Sequence, residues 1–385
     1  MTRRLLVLLA GGLIALAGCG GGGAGGAGGG APAVAQTDVN PRPRDNVRDG
    51  GTLRLPMDIF PANFNYNQVD GTTSDVLNIV SELMPYWFSG TADGGLRLNT
   101  DYATSAELTS TNPQVVTYTI NPKANWSDGS PITWRDFEAY WRSSNGTNPA
   151  YQTSGTTGYS DIATVARGVD DRQVVLTFSK PFAEWKTLFN PFYPAAATTS
   201  PRAFDNFCRT RLPLTAGPFA LGSIDATAKT ISVNRDPKWW GTPAKLDSII
   251  YRQYDPAALP DALANNEIDY YEIGSDLNLL RRAQGTRQRG GTPEIYGSPQ
   301  GNVVRENYGR IGTPEIDALY TKGVAELDDA KRADIGNQID RLLWQQVHSV
   351  VLYARAGAVA VRSTLANFGA SGLADTDYID AGFMQ

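Results

Sequence analysis

The sequence predicts an α/β protein of mixed α+β order, and three observations carry that expectation. Short alternating apolar runs of strand length recur along the chain, as at 115–120 and 248–253. Between them lie segments with apolar residues three and four apart, as at 133–141 and 329–347. The two kinds are interspersed rather than grouped, with no internal repeat. At 385 residues, one large domain or two moderate ones are expected.

The N-terminus reads as targeting and tether. Arg3 and Arg4 form a positive n-region, and the apolar run 5–17 is too short to span a bilayer, so 1–18 is expected to be a signal peptide. Leu16-Ala17-Gly18-Cys19 resembles the bacterial lipobox, in which the cysteine thiol receives a diacylglycerol and becomes the new N-terminus. Glycine and alanine from 20 to 30 offer no side chains to bury, so 19–49 is expected to be a lipidated flexible tether. About thirty such residues reach roughly 30 Å. Each buried lipid methylene contributes about 0.8 kcal/mol, so two or three acyl chains hold a protein on a membrane.

Within the body, "GGTLRL" at 50–55 reads as a first strand. Thr73 or Ser74 caps a helix expected to carry Leu77, Val80 and Met84 on one face. After the strand at 115–120, Asp128-Gly129 makes a turn, and a helix starts at Thr133 with Asp136 placed for a capping box. Trp134, Phe137 and Trp141 fall on one side of it. Further strands are expected at 173–178, 230–234 and 248–253. The last clear helix, 329–347, places Ile335, Ile339 and Leu342 at helical spacing.

Composition excludes several functions. Lys and Arg total 34 against 39 Asp and Glu, and removal of the signal leaves 32 against 39, near −7. Nucleic acid and anionic membrane surfaces are poor partners for such a chain. Cys208 is the only cysteine after Cys19, which rules out an internal disulfide and reads as a small buried residue. His348 is the only histidine, so histidine-based metal sites are not expected, and no cofactor is indicated. The sequence contains no GxSxG, SxxK, HExxH or P-loop, and it is not read as an enzyme. Eight Trp and seventeen Tyr suit packing, and they also suit the clefts of extracellular binding proteins.

The segment 115–141, "VVTYTINPKANWSDGSPITWRDFEAYW", closely resembles the signature of the extracellular solute-binding proteins of peptide/nickel-type ABC importers. Trp126, Ser127, Asp128, Gly129, Pro131 and Asp136 follow its pattern position by position. "TAGPF" at 215–219 is similar to the usual Gly-Thr-Gly-Pro-aromatic run, with Ala216 as a departure. "ALANNEIDYYEI" matches a later element, with Asn266 where the family usually has glycine. The resemblance implies a periplasmic-binding-protein-like fold of two lobes around a cleft, with the signature turn as framework.

One departure is large. After Gln284 only a short segment leads to Tyr296, where family members continue through a long second lobe, so that lobe reads as largely deleted. The expected division is 50–283 as first lobe with an inserted subdomain, 284–347 as a second-lobe remnant, and 348–385 as the return into the first lobe. The segment 316–347 is expected to be the most exposed, with Ile335, Ile339 and Leu342 lacking the core they normally meet. The implied function is solute capture, of oligopeptides first, for an ABC importer permease, on a lipid-anchored chain at the outer face of a bacterial membrane, with binding impaired by the shortened lobe. Alternatives are an oligosaccharide or metal-chelate ligand, or a cell-wall hydrolase lipoprotein. Candidate ligand contacts are Phe60, Asn63 and Asn65 after the first strand, and Tyr353 on the return strand. Each also suits loop or core packing.

Overall fold

The computed structural model describes residues 37–273, 312–346 and 358–385. Cys19, the signal and most of the tether, His348 and Tyr353 lie outside the described residues. One sheet has the order β1 (Thr52–Met57), β10 (Ser248–Gln253), β9 (Thr230–Arg235), β8 (Phe219–Asp225), with β1 parallel to β10 and the others antiparallel. Its alternation is visible in burial: Leu53, Leu55 and Met57 of β1 and Ile249 and Tyr251 of β10 face one core. The second sheet is antiparallel throughout, in the order β4 (Ala103–Thr111), β5 (Gln114–Ile120), β7 (Gln173–Phe178), β6 (Ile162–Arg167). A short hairpin, β2 (Phe88–Gly90) and β3 (Leu96–Leu98), precedes it.

The expected strands match β5, β7, β9 and β10 to within a residue. Helix α1 (Ser74–Val80) is capped by Thr73, whose side chain accepts from Val76 N. Of the expected face, Val80 and, just past the helix, Met84 are buried, while Leu77 stays half-buried. Val76, Ile79 and Leu83 are buried beside them, so the apolar face is wider than expected and is shifted away from Leu77.

Helix α2 (Trp134–Ser144) has the capping box read from Thr133 and Asp136. The second Asp136 oxygen accepts from Ala195 N at 2.8 Å, tying α2 to α3 (Ala195–Thr198). The guanidinium of Arg172 donates to the carbonyl of Ile132 and the side chain of Asn125, which braces the signature turn from beneath. Gly129 in that turn has φ +88, where glycine alone is unstrained. Phe137 of α2 enters a cluster of rings with Trp87, Phe189 and Phe192, at centroid distances of 4.7, 4.9 and 4.6 Å.

Asn266 also has positive φ, +61, a conformation that asparagine tolerates better than most residues. It ends the turn after α5 (Leu259–Ala264) and leads to β11 (Tyr270–Ile273), which pairs antiparallel with β12 (Ala358–Val361). These two strands are where the chain leaves for and returns from the segment 274–357. Both are fixed at one carboxylate. Asp269 is fully buried and accepts from Arg54 N, Nε and Nη2 at 2.8, 3.0 and 2.7 Å, and it pairs with Arg362 Nε at 2.5 Å. The C-terminal residues close back with β13 (Leu365–Ala366) against β14 (Gly382–Phe383).

The expectation that Ile335, Ile339 and Leu342 lack a core is corrected. Helices α6 (Pro314–Ala325) and α7 (Asp329–Gln345) pack on each other. Ile335 and Ile339 meet Ile316 and Tyr320, all four buried, with Leu319, Leu342 and Leu343 half-buried around them. The antiparallel pair supplies to itself what a larger lobe would have supplied. Thr313 and Asp328 cap the two helices.

Candidate functional site

A cavity of about 1600 Å³ opens beside α1. One wall is the polar face of α1, where Ser74, Asn78 and Ser81 follow one another at helical spacing with Leu77 between them. A second is the segment from Arg97 to Tyr102, with Trp239 beside it. The loop 371–379 forms a third. Tyr320 and Val324 of α6, with Arg332, Gly336 and Asp340 of α7, close the remaining side. A hydrogen bond from Ala183 N to Val324 O, 2.9 Å, fixes α6 against the rest.

Acidic groups outnumber basic ones. Seven carboxyl residues line the cavity, against Arg97 and Arg332, and Arg332 is paired with Asp329 at 2.6 Å. Asp375 accepts from Gly90 N and Asp377 from Ile379 N. Glu82, just past α1, is buried; Oε1 accepts from Tyr251 OH at 2.7 Å and Oε2 has no partner among the described residues. Burial pushes its carboxyl well above the usual range and so favours the protonated form. Gly217 of the "TAGPF" run lies against it: a Cβ there would stand 2.2 Å from Glu82 O. Burial also raises the Asp101 carboxyl, with no donor among the described residues to offset it.

Asn63 and Asn65 are fully buried, and their amides are committed to the chain. Asn63 Nδ2 donates to Asp205 O and its Oδ1 accepts from Asn65 N, both at 3.0 Å. Asn65 Nδ2 donates to Phe204 O at 2.9 Å, stitching the loop to α4 (Pro201–Asn206). Gly71 packs so closely on Asn65 O that a Cβ would lie 2.1 Å away. Phe60 is half-buried, with Lys229 Nζ 4.9 Å from its ring centroid. None of the three lines the cavity; Tyr66, on the same loop, does. The structure therefore brings the loop to the site and not these side chains.

The sequence reading missed Asp101, Tyr102, Trp239 and the loop 371–379. The one signal was the polar face of α1, which reads equally as solvent-facing. Cys208 is buried as expected, and burial pushes its thiol up to about 12, so it is unreactive at neutral pH. Among the described residues there is no group of metal-ligating side chains, and no helix is long and apolar enough to cross a membrane.

Two four-stranded sheets with flanking helices and a large cavity of mixed polar and apolar lining beside α1 define the class of a cleft-bearing binding protein. The sequence profile described as "Bacterial extracellular solute-binding proteins, family 5 Middle" matches residues 97–304, and the chain belongs to that family. The oligopeptide-binding protein OppA of Mycobacterium tuberculosis is 31% identical over 516 residues, covering 91% of this chain and 87% of the relative. That span exceeds the 385 residues of this chain, so part of the relative has no counterpart here. Among solved structures, the periplasmic EDTA-binding protein EppA superposes with a TM-score of 0.77 at 19% identity, covering 90% of this chain and 98% of that one. The oligopeptide-binding protein AppA from Bacillus subtilis, in complex with a nonapeptide, gives 0.66 at 11% identity, covering 88% and 100%. Both show the two-lobed fold, on a chain shorter than its relatives.

Proposed function

We propose that this chain captures a solute, an oligopeptide first, in the cavity beside α1 and delivers it to the permease of an ABC importer without chemical turnover. The observation that carries this is the cavity itself. Its 1600 Å³ exceeds the roughly 300–1,000 Å³ typical of small-molecule pockets, and its walls mix apolar surface with carboxylates, as a peptide requires. Relatives described as oligopeptide-binding proteins support the ligand class. On this reading 50–283 and 348–385 form the ligand-bearing lobe and 284–347 the reduced second one. The loop of Phe60, Asn63 and Asn65 acts by holding Tyr66 at the cavity, and Tyr353 is a further candidate ligand contact. Because the helices α6 and α7 that close this side of the cavity form a small unit, affinity is weaker than in longer relatives.

Isothermal titration with a pool of tri- to pentapeptides tests the ligand reading. Saturable heat is expected, and its absence, or appearance of cleaved peptide, overturns it. The lipobox-like stretch and the absence of another apolar run of spanning length support an anchor at Cys19. Cys19→Ser is expected to move the protein from the membrane to the soluble fraction with an unchanged melting temperature. Continued membrane association of that variant would refute the anchor.

A further inference from the structure

Most carboxylates around the cavity are already answered by the chain. Asp329 has Arg332, Asp375 and Asp377 have backbone N–H groups, and Glu82 has Tyr251. Glu184 and Asp340 also have partners. Asp101 differs. It is half-buried, and among the described residues no group donates to its carboxylate; burial alone shifts it. A desolvated carboxylate with no counter-charge costs free energy unless something supplies one.

The surroundings show what that something is. Tyr102, the next residue, is buried, and its ring centroid lies 5.6 Å from that of Trp239 and 5.8 Å from that of Trp240. Trp239 and Trp240 are in contact at 4.2 Å, and the Trp240 indole donates to Asp101 O at 2.8 Å, locking the carboxylate's backbone to the aromatic group. Asp101, Tyr102 and Trp239 all line the cavity. A cavity wall that carries a carboxylate, an indole and a phenol has the chemistry that takes a cation: the charge pairs with the oxygen while the ring quadrupoles replace part of its hydration. Arg97, on the same wall, is exposed, and solvent screens its repulsion.

We propose that Asp101, with the Trp239 and Tyr102 rings, forms a subsite for a cationic side chain of the bound solute, an ammonium or guanidinium such as that of lysine or arginine. The inference rests on the solute-binding reading above and adds a preference to it. An anionic group is repelled there, and a neutral one leaves the carboxylate desolvated and unpaired.

The probes are the tripeptide Ala-Lys-Ala and its uncharged isostere with norleucine at the centre, which share both termini and differ in one charge. Titrated into the full-length protein, the lysyl peptide is expected to bind about tenfold tighter, and Asp101→Asn is expected to bring the ratio close to one. Trp239→Leu should lower it partway. Asp225→Asn, in the β8–β9 turn remote from the cavity, should keep it. Thermal melts of each variant establish that the fold is retained. If the wild type binds both peptides equally, or if Asp101→Asn keeps the tenfold ratio, the subsite is refuted while the solute-binding reading stands. If neither peptide binds the wild type, both are refuted.

Discussion

Around Trp87 the chain buries aromatic side chains on every side: Tyr102, Tyr118, Phe137 and Phe192 approach it at centroid distances of 4.7 to 6.3 Å. That cluster runs without a break through both sheets. Helices α6 and α7 face the same cavity with a core of four buried residues and three half-buried ones, and Trp344 on α7 is left 67% exposed. Both regions obey the same packing rules, but they differ in how much apolar surface is available to resist opening. At about 25 cal/mol per Å² of buried apolar area, a core of seven residues holds a few side chains' worth of stabilisation where the main cluster holds dozens. One wall of the cavity is therefore rigid framework, and the other is a small unit with little reserve.

The largest effect should come from the framework. Phe137→Ala removes a fully buried ring that touches four others. A loss of about 3–5 kcal/mol is expected, a large share of a typical 5–15 kcal/mol, with the whole chain melting many degrees earlier. A change below about 1 kcal/mol in denaturant unfolding would show that the aromatic cluster is not the stabilising centre. Ile339→Ala sharpens the contrast. The cost at the site is expected to be about 2–5 kcal/mol, enough to open a four-residue core locally. Hydrogen exchange in 316–345 should then become fast while β5 stays protected. Equal acceleration in both would mean that the Ala183–Val324 hydrogen bond and the packing of Val324 couple the pair to the framework as one cooperative unit.

The regular elements were legible because their determinants are local. The capping box at Thr133, the alternation of β5 and the turn at Asp128-Gly129 each depend on residues within one segment. The cavity depends on contacts far apart in the chain: Asp101 is joined to Trp240, the neighbour of Trp239, through a hydrogen bond across 139 positions, and the loop 371–379 comes from the other end. Asn63 and Asn65 drew notice as polar residues in a loop. Their burial against α4 depends on the carbonyls of Phe204 and Asp205, which no local pattern announces. The self-sufficiency of α6 and α7 was in the sequence as well, since Ile316 and Tyr320 share a face four residues apart. The resemblance to a family with a long second lobe points instead to a missing partner, and the local pattern alone does not say that the two helices meet.

The smallest and most specific expectation concerns Glu82, where the framework meets the cavity. Burial holds the affinity of its carboxyl for the proton well above that of an exposed glutamate, near 4.5. Below that ordinary value the group is protonated both folded and unfolded and contributes no pH dependence. As pH rises above it, the unfolded chain releases the proton while the folded chain retains it, so stability falls with pH until the folded group also ionises. Other raised carboxyls, among them Asp75, Asp101 and Asp136, add slopes of the same sign, so a single melting curve does not isolate Glu82. The difference between wild type and Glu82→Gln does. Glutamine keeps the shape and an acceptor for Tyr251 OH, carries no titrating group, and leaves the second position unpartnered as before. The variant's melting temperature relative to wild type should therefore climb as pH rises above 4.5 and level off once the folded carboxyl ionises. A difference that stays flat as pH rises would mean that Glu82 ionises as an exposed glutamate does, and that the wall beneath α1 is open to water.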